Sequence, residues 1–171
     1  MKHPVKKLWI GVLICCSLFI LGNLMTVAPH QTSGNGNPAF LMAAALIMTA
    51  PFMIFFIVNV LIRYDVSKKW MLRLLVIGMA DFCFGYFYQL NQSVSIRKTI
   101  GQRMLAADAI RDMDYVNSAL SGYSIYLNAY YFSFNTLLMF FSCLLMVSVL
   151  LYGIYRLFRR PPEEQKSPSL Y

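Results

Sequence analysis

Acidic side chains are scarce in this 171-residue chain, 7 against 15 lysines and arginines. Glutamate occurs only at Glu163 and Glu164, near the end. Histidine occurs only at His3 and His30, and neither has an acidic or cysteine neighbour, so no metal-ligand pattern forms. The four cysteines, Cys15, Cys16, Cys83 and Cys143, all lie inside apolar runs and contain no Cys-x-x-Cys. That excludes a redox pair of this kind and a disulfide framework between the runs, and the four read as small packing residues. A Gly-rich phosphate loop, a nucleophile–base constellation and a zinc pattern are also missing from the sequence. The reading is a protein without catalytic chemistry and without a cofactor.

What the chain has instead is apolar length. Hydrophobic residues make up 58% and charged ones only 13%, a balance that points to a membrane protein. Four runs, at 8–27, 39–62, 71–90 and 129–151, are each of about the ~20 residues that cross a bilayer as a helix. The first also resembles a signal peptide, with a basic start and Thr26, Val27 and Ala28 at its end. It is longer than a signal core and Pro29 would follow the cleaved bond, so it is read as a retained span. The expected architecture is an all-α integral membrane protein. Residues 1–155 form a four-helix membrane domain, and 156–171 form a basic, disordered cytoplasmic tail.

The net charge of +8 raises nucleic acid as a partner, but the basic residues flank apolar runs and make no patch of their own. They read as topology signals. Eleven of the fifteen sit at the start, in the 63–73 stretch and at the end; none falls in 28–38, and four fall in 91–128 beside three aspartates. Both termini and the 63–70 link are therefore expected in the cytoplasm, N-in and C-in, in the plasma membrane.

The outer segment, 91–128, is the one long polar stretch. Ile100, Met104, Ile110 and Met113 recur in it at helical spacing, and Thr99 with Gln102 makes a possible capping box. An extracytoplasmic amphipathic helix over about 99–120 is expected, or else a continuation of the third span as one long helix. Asp108, Asp112 and Asp114 lack the spacing of a calcium loop and read as a solvated ion-pair face.

Asp81 is the only acidic side chain within the four apolar runs. On a helix it shares a face with Leu74, Gly78, Phe82, Gly85, Tyr88, Gln89 and Gln92, while Val76, Ala80, Cys83, Phe84 and Phe87 lie opposite. Small and polar residues turn towards neighbouring helices in a bilayer, so the glycine face should meet the bundle and the phenylalanine face lipid. A charge at the bilayer centre costs at least ~2.5 kcal/mol, so Asp81 must be protonated, hydrogen-bonded or beside water. It lies ~15 Å along its span, a depth shared by Ser17, Thr49 and Ser142, and these four make a candidate intramembrane polar layer.

A four-span layout with its longest connection between the third and fourth spans resembles that of tetraspanins, but that family's Cys-Cys-Gly motif and loop cysteines are missing here. Four-span multidrug exporters carry a Glu in the first span, and this one has none. The leading expectation is a protein acting by contact, as an accessory, regulatory or immunity-type protein. Its partner would be a membrane or extracytoplasmic protein, or a second copy, beside the lipid bilayer itself. The alternative is a small proton-coupled carrier using Asp81.

Overall fold

A backbone in hydrocarbon has no water to satisfy its N–H and C=O groups, so long apolar runs close their hydrogen bonds within helices. The computed structural model describes residues 4–28, 37–106 and 113–159, and it is helical throughout, without strands among those residues. Four helices are long and apolar enough to cross a membrane: α1 (Pro4–Leu24), α2 (Ala39–Arg63), α3 (Lys68–Ala106) and α6 (Phe134–Phe158). The chain is thus a multi-pass membrane protein by length and composition. Two short helices, α4 (Met113–Ala119) and α5 (Asn128–Tyr131), sit between α3 and α6, with a 3-10 turn at Ile125–Leu127.

α3 pairs with α6, α1 pairs with α2, and α2 joins the two pairs by packing on α6. Between α1, α2 and α6 lies a core of Cys15, Phe19, Leu46, Met53, Phe132 and Leu144. Nearer the short 64–67 link, Leu61, Val149 and Tyr152 form a second core with Leu74 and Leu75 against them. Large apolar side chains such as Phe84, Phe87, Ile47 and Phe52 cover the outside of the spans, a distribution suited to lipid.

Four expectations differ from the structure, the first in favour of its stated alternative, the continuous third helix. Residues 99–106 do not begin a separate amphipathic helix, because α3 continues unbroken to Ala106. At 39 residues it is ~58 Å long, well beyond the ~30 Å of hydrocarbon. Thr99 is no cap: its hydroxyl donates to Ser95 O, 2.9 Å away, inside the helix. Finally, the fourth span starts at Phe134, not 129. Ser133, in an extended conformation, accepts from Thr136 N and starts α6 afresh after the break at Phe132. The proposed tail boundary at 156 also falls within α6, which runs to Phe158, and residues 160–171 lie outside the described residues.

Candidate functional site

The face of α3 bearing Asp81 is the buried one. Gly78 and Gly85 are buried, Leu74, Asp81, Phe82, Gln89 and Gln92 are half-buried, and Tyr88 alone of that stripe is exposed. Opposite, Phe84 is 77% exposed, and Val76, Ala80, Cys83 and Phe87 are exposed too. The glycines bring the α3 backbone close to α6, where Gly78 faces Met146 and Gly85 faces Met139.

Along this seam runs a polar ladder. Ser142 Oγ donates to Asp81 Oδ2 at 2.6 Å. Two turns on, Asn135 Nδ2 donates to Gly85 O at 3.0 Å and to Gln89 Oε1 at 2.9 Å. Gln89 Nε2 donates to Tyr130 O at 3.0 Å, and Tyr130 OH returns a bond to Gln89 O at 2.7 Å. Further up, Arg97 donates to Leu120 O and to Tyr131 OH, and Tyr131 OH donates to Gly122 O. The rungs within the spans satisfy polar groups that lipid could not, and the bonds of Asp81, Gly85, Gln89 and Arg97 tie α3 to the chain between Leu120 and Ser142.

The expected layer of four comes apart. Ser142 and Asp81 meet. Thr49 belongs to the α1–α2 contact, where its hydroxyl donates to Leu46 O at 2.9 Å and lies 3.8 Å from Cys15 Sγ. Ser17 is exposed and donates to Leu13 O of its own helix. Equal depth does not bring side chains together when they point into different helix pairs.

Above the spans, the far end of α3, α4, the 3-10 turn and α5 form a cap. Met104, Val116, Leu120 and Tyr126 are its core, with Ile100 half-buried at the edge. The apolar stripe expected to be a contact surface is thus largely internal: Met104 has 0% exposure, and Met113 alone of the described members is exposed, at 54%. Ile110 lies outside the described residues. What α4 turns outward is Met113, Asp114, Tyr115, Asn117 and Ser118.

Asparagines fasten the cap to the spans, and the sequence reading missed them. Asn128 is fully buried. It exchanges amide hydrogen bonds with Asn37, at 2.7 and 2.9 Å, and its Nδ2 also donates to Met25 O at 3.0 Å. Asn23 Nδ2 donates to Phe132 O at 3.1 Å and Ala129 O at 3.3 Å. One side chain therefore joins the ends of α1 and α2 to the start of α5. The available signal was an asparagine between aromatic residues, at the edge of an apolar run. Tyr123 stacks on Tyr131 with centroids 4.8 Å apart, and burial together with the neighbouring phenol pushes the Tyr123 hydroxyl above its ordinary pKa.

At the opposite end, Asp65 adopts φ 41°, a left-handed conformation that aspartate tolerates better than most residues. Arg156 Nη1 donates to Val66 O at 3.0 Å and Tyr152 OH to Asp65 Oδ1 at 3.3 Å, pinning this link to α6. Among the described residues no cluster of three or more histidines, cysteines or acids is placed to hold a metal. No family model matches the chain, and no curated protein or solved structure matches it.

Proposed function

We propose that this chain is a plasma-membrane protein, N-in and C-in, that acts by contact through its cap, as an accessory, regulatory or immunity-type protein without catalytic chemistry. The observation that carries this reading is the continuity of α3 from the span into the cap, with Arg97 and the Asn37–Asn128 pair closing the cap on the helix ends. That construction supports a preformed surface held at a fixed place above the bilayer, and α4 offers Met113, Tyr115 and Asn117 on it. Asp81 fits the same reading as a rung of the helix seam, since its partner is Ser142 on α6. The partner would be a membrane or extracytoplasmic protein, or a second copy of the chain.

The second reading, a proton-coupled carrier, rests on Asp81 being the acid within the spans. A photocrosslinker at Tyr115 and another at Phe84 distinguish the two. The contact reading expects a discrete protein adduct from position 115, abolished by Met113→Asp and untouched by Asp81→Asn, with only lipid adducts from position 84. Absence of any protein adduct at 115, together with proton flux in proteoliposomes that Asp81→Asn abolishes, would replace it by the carrier reading.

A further inference from the structure

Between α1 and α2, within the spans, lies a groove of about 330 Å3. Ile10 and Ile14 form one wall, and Phe52 and Phe56 the other. Its floor is Met53, which fits there because Gly11 has no side chain: a Cβ on Gly11 would lie 2.3 Å from Met53 Sδ. Thr49 lies at the deep end, but its hydroxyl is already spent on Leu46 O. The other polar side chain of the lining is Lys7, at the mouth nearest the chain start. Lys7 has no ion-pair or hydrogen-bond partner among the described residues, where the acidic side chains are Asp65, held by Arg156, Asp81, held by Ser142, and Asp114 out in the cap.

We propose that this groove binds one anionic phospholipid, its acyl chain between the isoleucine and phenylalanine walls and its phosphate on the Lys7 ammonium. The lining decides the class of ligand. The groove runs from Lys7 to Ile14, seven residues or ~10 Å along α1, about a third of the hydrocarbon thickness, so it takes part of one chain. Its volume sits at the low end of the ~300–1,000 Å3 range of ligand sites, which also fits one chain and not a helix. Its wall is apolar to the depth of Thr49, so recognition of a polar ligand body has nothing to act through. A cation at the mouth with no partner among the described residues selects a negatively charged headgroup over a zwitterionic one. The lipid comes from the leaflet on the side of the α1 start. This site is separate from the basic end of α6 and does not depend on the contact reading of the cap.

The test is native mass spectrometry of the full chain in detergent, equilibrated with equal amounts of phosphatidylglycerol and phosphatidylcholine of identical acyl chains. The wild type should retain one lipid, with phosphatidylglycerol favoured about fivefold, the ratio that ~1 kcal/mol per lysine near a membrane surface gives. Lys7→Gln should bring the ratio to about one, whereas Lys6→Gln, on the neighbouring residue that does not line the groove, should leave it unchanged. Ile14→Trp should abolish retention of both lipids by filling the groove. If that variant does not insert, Ile10→Trp fills the same groove one turn nearer its mouth. Equal losses from Lys6→Gln and Lys7→Gln would reduce the effect to diffuse charge and overturn the proposal. So would lipid retention in the filled variants, or a dimer of the chain that they dissociate.

Discussion

Gly22 lies against the face of the Phe132 ring, so closely that a Cβ built on it would come within 2.6 Å of two ring carbons. A planar ring in a packed core cannot bend aside, and Phe132 is itself 5.6 Å, centroid to centroid, from Phe19 in an edge-to-face contact. Gly85 faces a different neighbour, the flexible Met139, with Cγ at 2.6 Å. Gly22→Ala is therefore expected to lower thermal stability in detergent by ~1–3 kcal/mol, the range for overpacking, and Gly85→Ala by less. The reverse order would mean that Phe132 has another place to go.

Asp81 and Ser142 give a second measurement. Asp81→Asn keeps an acceptor for the Ser142 hydroxyl and should fold and insert like the wild type. Ser142→Ala leaves Asp81 Oδ2 without its donor and should cost about 0.6 kcal/mol, the mean for such bonds between membrane helices, and at most about 1.7 kcal/mol. Asp81→Lys places an ammonium in the seam, where neither Ser142 nor Asn135 supplies a counter-ion, and should assemble poorly. Yield and thermal midpoint in detergent read all three; a normal yield of Asp81→Lys would place water in the seam.

Asn128→Leu tests the fastening of the cap. It removes the donor to Met25 O and both bonds to Asn37 at a position with no exposure. Unmet buried partners cost ~1–3 kcal/mol each, so the loss should exceed that of Ser142→Ala. Limited proteolysis should cut Asn128→Leu in residues 107–127 faster than the wild type. Equal rates would show that the cap is held from elsewhere.

Cysteine labelling separates the inside of the cap from its surface. In a background without the native cysteines, Met104→Cys should react slowly with aqueous maleimide and Met113→Cys quickly, since one is fully buried and the other half-exposed. Equal rates would mean that α4 does not rest on α3.

The proposed orientation is checked by reporter fusions. Fusions at Pro4, Asp65 and Ser167 should report cytoplasm, and those at Gly34 and Ala107 the outside. A cytoplasmic signal at position 34 would invert the topology and, with it, the side on which the cap works.

The four spans were legible because hydrocarbon permits few answers to a run of twenty apolar residues. The bundle-facing side of α3 was legible for the same reason: Gly78, Asp81, Gly85 and Gln89 repeat at helical spacing, and lipid accommodates none of them as well as another helix does. The length of α3 was not. Residues 91–106 carry the spacing of a helix whether or not it starts afresh at Thr99. The outcome depends on the absence of a breaker between Leu90 and Ala106; Gly101 is tolerated because it sits against Val116. The partners of Asp81 were half legible. Depth can be counted along a helix, but which pairs of helices touch depends on side-chain fit, which put Thr49 beside Cys15 and Ser142 beside Asp81. Asn128 was illegible, because its role exists only once Met25 and Asn37, from two other segments, arrive around it.

Because α3 passes from the seam into the cap without a joint, the cap cannot turn separately from the span. From Gly85, whose carbonyl accepts from Asn135 of α6, to Ala106 is 21 residues, ~32 Å of unbroken helix. Gln89 and Arg97 tie that length to Tyr130 and Leu120 on its way up. The surface that α4 displays is therefore aimed by the packing of the helices below it, and a change at the α3–α6 seam is a change in where that surface points.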